Sequence, residues 1–269
     1  MGTDVRVREE NGRSWRQARI LNAWVDSLDV SDLLELLESG GTVFTINPEH
    51  LYQLQRNEEF ARVYADADYI SCDSIYVHRA LKLLGRGIEH LASGSDIVPA
   101  YWRKHAANPA VKIFLLGAKP GVAQQARERI NRLAGREIIV GAHGPSFSFV
   151  EDEQETRSAI DLINSSGATC LIVGLGAPKQ EIWIARNRSR LANVKVFMGV
   201  GATIDYEAEA VRRAPVWMRH NGLEWLYRVA TEPRRYARRY ARNTEFFWLA
   251  ILDRLGLYEP PFSLSERPA

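Results

Sequence analysis

The sequence has little cysteine and no long apolar run. Cys72 and Cys170, the two cysteines of the chain, each lie in an apolar segment, as buried free thiols usually do. A disulfide framework is therefore not expected, and a reducing cytoplasm suits the chain best. No apolar run reaches the roughly 20 residues of a membrane-spanning helix, and the first residues are too charged for a signal peptide. We expect a protein that is soluble or lies on a membrane without crossing it.

Motifs for metals and for common cofactors are also missing. The histidines form no His-x-x-x-His pair or His/Cys cluster, and Asp66-Ala-Asp68 precedes its strand instead of following it. No Walker loop occurs, and Gly174-Leu-Gly176 does not complete Gly-x-Gly-x-x-Gly, because Lys179 holds the third place. We therefore expect neither a bound metal nor a cofactor. A nicotinamide-dependent Rossmann oxidoreductase is an alternative without support from a motif.

Strand and helix patterns alternate along most of the chain. Apolar runs at 18–25, 42–46, 68–72, 111–117, 137–144, 168–176 and 194–201 predict strands, with helical periodicity between them. This alternation predicts an α/β fold with a Rossmann-like, mostly parallel sheet and helices on both faces. We expect a flexible N-terminus over 1–17, a Rossmann-like catalytic domain over 18–206, a basic, aromatic helical C-terminal appendage over 207–257 and a polar tail over 258–269. Helices near 215–230 and 234–256 would form the appendage, divided at Pro233.

Polar residues and glycines follow nearly every predicted strand. In a doubly wound sheet, ligands bind beyond the carboxyl ends of the strands. Glycine turns that open helices bind anionic groups, so a nucleotide held by its phosphates and base is the most economical ligand. For any one glycine, turn geometry alone is the simpler explanation. The residues in these positions are Thr45, Asn47, Asp73, Gly117, Gly174, Gly176, Gln180, Glu181, Gly201 and Asp205.

Asp73 and Gln180 have the clearest chemical potential among these residues. Asp73 follows an apolar strand, where its carboxylate could act as a general base or bind substrate. Capping of the helix that starts at Ile75 is the structural alternative. Gln180 and Glu181 open another helix, where Glu181 suits the helix dipole. The amide of Gln180 has no such structural reason and could bind sugar hydroxyls.

Positive charge is concentrated in Arg212–Arg242. This segment holds nine arginines, no lysine and two acids, a net +7 in a chain whose formal net charge is +2, so the remainder is acidic. Arginine binds phosphate oxygens bidentately. The segment could bind nucleic acid, with steeply salt-dependent affinity, anionic lipid or a small diphosphate. Its apolar stripe of Tyr236, Tyr240, Phe247 and Ile251 could pack on the domain, on a second copy of the chain or on lipid.

Taken in order, several motifs resemble the WecG/TagA/CpsF family of bacterial glycosyltransferases, glycosyltransferase family 26. They are Thr45-Ile-Asn47, Cys72-Asp73, Gly94-Ser-Asp96, GLGAPKQEIW (174–183), GVGATIDY (199–206), RAPVWM (213–218), GLEWLYR (222–228) and EPRRYARRY (232–240). Together they span about residues 20 to 245. Two places depart from the pattern. Ser74 stands where many members have glycine, and Leu91 where many have arginine, which bears on the identity of the sugar or acceptor.

The resemblance implies a reaction and a place in the cell. It implies an inverting, metal-independent transfer of a sugar from a nucleotide-diphosphate donor, with UDP as the expected nucleotide. The acceptor would be a polyprenyl-diphosphate-linked saccharide in bacterial surface polysaccharide biosynthesis, at the inner face of the cell membrane. A nucleic-acid-binding protein is the alternative from another class, and it leaves the strand-end residues unexplained.

The resemblance also implies roles for individual residues. Asp73 falls on the catalytic base. Thr45, Asn47 and Gln180 fall on pocket residues, and Gly94 and Asp96 lie in a matching motif that we expect to bind substrate. Arg228, Arg235 and Arg238 fall on arginines that engage the diphosphate. The other arginines of Arg212–Arg242 and the apolar stripe would then face anionic lipid.

Overall fold

The computed structural model describes residues 4–215, 217–218 and 221–262. Its strands are β1 (Val5–Glu10), β2 (Arg13–Ile20), β3 (Ala23–Asp26), β4 (Gly41–Ile46), β5 (Tyr69–Cys72), β6 (Ile113–Gly117), β7 (Ile139–His143), β8 (Cys170–Gly174) and β9 (Val196–Gly199). Its α-helices are α1 (Val30–Leu36), α2 (Pro48–Leu54), α3 (Glu58–Ala65), α4 (Ile75–Leu83), α5 (Gly94–Lys104), α6 (Val122–Ala134), α7 (Glu153–Ser166), α8 (Lys179–Asn187), α9 (Thr203–Glu207), α10 (Glu224–Thr231), α11 (Pro233–Asn243) and α12 (Glu245–Arg254). Short 3-10 helices follow α1 and α8, at Leu37–Ser39 and Arg188–Arg190.

The chain divides into two units that interleave along the sequence. The first unit comprises Met1–Asp29, Thr45–Ser93 and Arg213–Ala269, and the second comprises Val30–Phe44 and Gly94–Arg212. These bounds differ from the predicted domains at 18–206 and 207–257. The difference arises because α11 and α12 pack on α2, so the C-terminal helices share a unit with the first part of the chain.

The second unit contains the parallel part of the sheet. Its strands lie in the order β4-β9-β8-β6-β7, and every neighbouring pair is parallel. Every residue of β6 and of β9 is buried, and strands buried in this way need cover on both faces. The predicted α/β fold with a mostly parallel sheet is confirmed.

The first unit begins with an antiparallel arrangement of strands that the sequence did not predict. β1, β2 and β3 form an antiparallel meander, and β5 is parallel to β3. Strands occupy residues 5–10 and 13–17, where the sequence predicted a flexible segment, and the strand predicted over 18–25 is divided between β2 and β3. Trp15 and Gln17 make this segment ordered, because their side chains point inward and each donates to Asp26 Oδ1 at 2.6 Å. Burial raises the pKa of Asp26.

The C-terminal helices also differ from the prediction. Pro233 lies in the first turn of α11, at the point where the sequence predicted a break between two helices. The predicted helix over 234–256 is divided at Thr244 into α11 and α12. Within residues 4–215, 217–218 and 221–262, no helix is both long and apolar enough to cross a membrane.

Candidate active site

Asp73 directly follows the buried strand β5 and is itself half-buried. Every residue of β5 is buried, and the Asp73 amide donates to the Ile46 carbonyl at 3.0 Å. The cap of α4 is Ser74, whose hydroxyl accepts from the Tyr76 amide at 3.2 Å. The structural alternative, a capping role for Asp73, was therefore wrong. Because Ser74 takes the cap position, the neighbouring Asp73 carboxylate lies outside the cap.

Asn47 connects the start of α2 to Asp73. Its side-chain oxygen accepts from the backbone amides of Glu49 and His50 at 3.0 and 3.4 Å. The backbone amide of Asn47 in turn donates to His50 Nδ1 at 3.2 Å. This reciprocal arrangement is a capping box, which fixes the Asn47 rotamer. The side chain of Asn47 also hydrogen-bonds to Asp73. Because the Asn47 oxygen serves the helix, its amide nitrogen is the donor to the Asp73 carboxylate.

The surroundings of Asp73 raise the pKa of its carboxyl toward neutral pH. Burial is the largest cause and the charge of Glu224 the next, and together they raise the pKa of Asp73 to about 6. Arg228, His50 and the Asn47 hydrogen bond act in the opposite direction. A carboxyl with such a pKa is ionised at pH 7 yet basic enough to accept a proton in a transition state.

Glu224 and Arg228 reach this site from one helix. They form an i,i+4 pair in α10, in which Arg228 Nη2 donates to Glu224 Oε1 at 2.5 Å. The turn before α10 is attached to α4, since the Tyr76 hydroxyl donates to the Gly222 carbonyl at 2.8 Å. Gly222 has φ of 76°, and a Cβ there would lie 2.9 Å from Ile75 Cγ2. This close approach holds the first turn of α10 beside the start of α4.

Thr45, the other pocket residue predicted in this unit, is not open to solvent. It lies within β4 and is only 3% exposed. Its carbonyl accepts from the Tyr64 hydroxyl at 2.6 Å. Leu91, at the second departure from the family pattern, is 45% exposed.

The arginines of Arg212–Arg242 are divided between the protein and the surface. Arg239 and Arg242 bind the buried Glu49 at 3.1 and 2.6 Å, so these two charges, which the sequence assigned to lipid, are paired within the protein, although their side chains are 35% and 39% exposed. Arg213 donates to the Ser93 hydroxyl at 3.2 Å. The exposed members of the described part are Arg212, Arg234, Arg238 and Arg242, of which Arg242 is the one paired with Glu49. The side chain of Arg235 and the whole of Arg219 lie outside the described structure.

The predicted apolar stripe is divided in the same way. Tyr236 is buried and Tyr240 half-buried, and both pack against α10, so neither faces lipid. Phe247 and Ile251 are exposed on α12, as expected, and Trp248 lies beside them.

In the second unit, Gln180 fixes two turns. Its side-chain oxygen accepts from the amides of Gly176 and Gly201 at 3.1 and 3.0 Å, and its nitrogen donates to Glu181 Oε1 at 2.7 Å. Gln180 is 1% exposed and Glu181 is fully buried. In this arrangement the amide of Gln180 joins the turns that follow β8 and β9, so its contacts are with the protein.

Glycines allow the ends of three parallel strands to approach one another. A Cβ on Gly117, the last residue of β6, would lie 2.5 Å from the Gly174 carbonyl, and one on Gly174, the last residue of β8, would lie 2.7 Å from the Gly201 oxygen. Gly176 and Gly201 have positive φ but open space around the Cβ position. The backbone amides of Gly176 and Gly201 already donate to Gln180, so these two amides are not available to a ligand.

The remaining predicted residues of the second unit lie in first turns of helices. Gly94 begins α5, where a Cβ would lie 2.8 Å from Val200 Cβ, so close packing requires glycine. Asp96 is exposed in the same turn, and Asp205 is half-buried in the first turn of α9. Among the described residues, no group of three or more His, Cys, Asp or Glu side chains is placed to hold a metal ion.

Sequence reasoning did not identify Glu49, Glu224 or Tyr76 as parts of the site. Glu224 has a signal that could have been used, because Glu and Arg four residues apart on a helix form a pair. Glu49 looks like a carboxylate that suits a helix N-terminus, and its arginine partners lie 190 and 193 residues away in the sequence.

A comparison with protein-family models identifies the family of the chain. The model of the glycosyl transferase WecG/TagA/CpsF family matches residues 18–260 of the chain. The match includes the end of β2, the strands β3 to β9 and the C-terminal helices, and therefore parts of both units.

Proposed function

The chain belongs to the WecG/TagA/CpsF family of glycosyltransferases, and on this premise we propose that it is an inverting transferase. It moves a sugar from a nucleotide-diphosphate donor, with UDP as the nucleotide, to a polyprenyl-diphosphate-linked saccharide. The single observation that carries this proposal is the Asp73 carboxyl, held by Asn47 outside the helix cap, with a pKa of about 6. The family places the enzyme in polysaccharide biosynthesis.

In the proposed reaction Asp73 is the general base. A hydroxyl of the acceptor sugar attacks the anomeric carbon of the donor from the face opposite the leaving group, and its proton passes to the Asp73 carboxylate. The new carbon–oxygen bond forms as the bond from the anomeric carbon to the diphosphate oxygen breaks. The electron pair leaves with the nucleoside diphosphate, so the configuration at the anomeric carbon is inverted.

Arginines would neutralise diphosphate charge in this metal-independent reaction. Guanidinium groups form charge-assisted, bidentate hydrogen bonds with phosphate oxygens, and fixed positive charge stabilises a departing anion. Arg228 supports this role, because its charge acts on Asp73. Arg238 is exposed on α11. The resemblance adds Arg235 to this group.

The turns of the second unit are the proposed donor-binding elements. Gly117, Gly174, Gly176 and Gly201 lie at the ends of parallel strands, where nucleotides bind in doubly wound sheets. We expect Gln180 to act there by holding the turns at Gly176 and Gly201 in place. Asp96, Glu181 and Asp205 complete the proposed donor-binding set.

The C-terminal helices are the proposed contact with an anionic membrane surface. Phe247, Trp248 and Ile251 present exposed apolar side chains on one side of α12, and Arg234 and Arg238 are exposed on α11. Apolar residues beside basic ones suit a peripheral site at the inner face of the cell membrane.

The test is transfer itself. Purified protein is incubated with a panel of UDP- and other nucleotide-sugars and a short-chain polyprenyl-diphosphate-linked monosaccharide, and product is followed by mass spectrometry without added metal and with chelator. We expect one donor to give a disaccharide product with inverted anomeric configuration. A retained configuration, or dependence on added metal, would contradict the proposed mechanism. Nucleic-acid binding and oxidoreductase activity are not proposed, because the family is one of glycosyltransferases.

A further inference from the structure

Glu49 is a buried carboxylate outside the proposed chemistry. Its side chain is 5% exposed. Arg239 Nε donates to Oε2 at 3.1 Å, Arg242 Nη2 to Oε1 at 2.6 Å and Gln53 Nε2 to Oε1 at 2.9 Å. With its amide nitrogen turned toward the carboxylate, Asn243 donates to Oε2 at 3.0 Å. A buried carboxylate is tolerated only with partners of this kind.

The charge state of Glu49 reflects these contacts. Burial alone would raise its pKa, but the hydrogen bond from Arg242 and the charge of Arg239 lower it below the ordinary value of glutamate. Glu49 is therefore ionised throughout the neutral range. Two guanidinium groups and one carboxylate form an ionic clamp, which we define as Glu49, Arg239 and Arg242.

The clamp attaches α11 to α2. Apart from Pro233 and the alanines, the apolar side chains of α11 are Tyr236 and Tyr240, and arginine fills much of the rest of the helix. A helix with so little apolar surface gains little from burial alone. The contact of α11 with α2 therefore depends on Glu49, which lies in the first turn of α2, two residues after Asn47.

The clamp is connected to Asp73 from two sides. On one side, Asn47 caps α2 and hydrogen-bonds to Asp73. On the other side, α11 packs against α10. Trp225 and Tyr240 lie 6.2 Å apart between ring centroids, and the Arg228 guanidinium lies 5.9 Å from the Tyr236 ring centroid.

We propose that Glu49 is a positioning residue: by binding Arg239 and Arg242 it holds α11, and through α11 the α10 pair Glu224 and Arg228, against Asp73. Its role in sugar transfer rests on the proposed function, but the positioning can be measured without any substrate. The groups whose charge acts on Asp73 are Glu224 and Arg228 of α10 and His50 of α2, and Cys72 is its buried neighbour.

The experiment is a carbon-13 NMR titration of the Asp73 carboxyl in protein labelled at aspartate, assigned with Asp73→Asn. It compares wild type, Glu49→Gln and the double variant Arg239→Gln/Arg242→Gln. If the clamp holds α10, loosening it from either side admits water to Asp73 and moves Glu224 away. The pKa of Asp73 then falls in both variants by about one unit or more, toward the ordinary ~3.9 of aspartate.

The two variants separate positioning from simpler effects. Direct loss of charge would lower the Asp73 pKa in Glu49→Gln and raise it in the arginine double variant, so opposite shifts would overturn the proposal. A clamp that serves only stability would lower the melting temperature and leave the Asp73 pKa unchanged, which would also overturn it. Backbone amide exchange in α10 should become faster in both variants.

The matched control is Glu245→Gln. Glu245 pairs with Arg56 at 2.6 Å and, like Glu49, links a C-terminal helix to the α2 region, but both partners are well exposed. This variant should leave the Asp73 pKa and the α10 exchange rates as in wild type. Once the donor is known, Glu49→Gln should also reduce kcat by about tenfold to a hundredfold, as small misplacements of catalytic groups do, whereas Glu245→Gln should retain wild-type kcat.

Discussion

The side chain of Asn47 caps helix α2 with its oxygen and hydrogen-bonds to Asp73 with its amide. One residue thus fixes the start of a helix and the orientation of the proposed catalytic carboxylate. Because the cap uses the amides of Glu49 and His50, the Asn47 amide cannot rotate without losing helix hydrogen bonds. The carboxylate of Asp73 is oriented by the fold before substrate binds.

Activity should depend on pH through Asp73. Burial and Glu224 raise the pKa of its carboxyl to about 6, and only the ionised form can accept the acceptor's proton. We expect kcat/KM to be constant near pH 7.5 and to fall about tenfold for each pH unit below 6. In Glu224→Gln the charge that raises the pKa is lost, so the acidic limb should move to lower pH. An acidic limb at the same pH in both proteins would contradict this assignment.

Removal of the Asp73 charge should stabilise the protein at neutral pH. A folded-state pKa of about 6, above the ordinary 3.8, means that the folded protein binds this proton more tightly than the unfolded chain. The ionised Asp73 carboxyl therefore lowers the free energy of unfolding, and this loss of stability grows as pH rises from about 4 through 6. Asp73→Asn should unfold at a higher temperature than wild type at pH 7.5, and the difference should shrink at pH 5. Calorimetry at both pH values measures it, and a lower Tm at pH 7.5 would be the contrary result.

Gln180 should act on the donor through the turns that it holds. In Gln180→Ala the amides of Gly176 and Gly201 lose their shared acceptor, at a cost of about 1–3 kcal/mol for a buried polar group left without a partner. We expect a lower Tm and weaker binding of the nucleotide-sugar, measured by calorimetry. Gln124→Ala is the control, since Gln124 is exposed on α6 and contacts Glu128. If the two variants lose the same amount of Tm and of nucleotide-sugar affinity, the proposed role of Gln180 in donor binding is contradicted.

The exposed side of α12 should determine membrane binding. The double variant Trp248→Ser/Ile251→Ser removes two exposed apolar side chains, so co-sedimentation with vesicles rich in anionic lipid should fall severalfold while Tm changes little. Leu83→Ser/Leu133→Ser removes two exposed leucines elsewhere and should bind vesicles as wild type does. If both double variants lose binding equally, α12 is not the contact surface.

The parallel part of the fold was readable from the sequence, because its signals are local. Strands such as β6 and β8 are short apolar runs that end in glycine, and period and turn chemistry are sufficient to place them. Asn47 and Asp73 were found for the same reason, since each directly follows its strand. The N-terminal strands were missed because Trp15 and Gln17 are satisfied by Asp26, which is a distant partner that a local pattern does not show.

The arginines show the same limit. Composition identifies Arg212–Arg242 as a basic segment, but it cannot distinguish Arg239, which binds Glu49, from its neighbour Arg238, which is exposed. That difference is set by which side of α11 meets α2. The raised pKa of Asp73 likewise depends on Glu224, 151 positions further along the chain, and on burial that only the folded chain creates.

The most direct test of the central claim is single-turnover transfer by Asp73→Asn. The amide keeps the size of the carboxylate but cannot accept the proton, so the rate of sugar transfer to the lipid-linked acceptor should fall by about 10²–10⁴-fold. Binding of the nucleotide-sugar, measured in parallel by calorimetry, should stay within about twofold of wild type, because Asp73 acts on the acceptor. A transfer rate in Asp73→Asn equal to that of the wild-type protein would contradict the account.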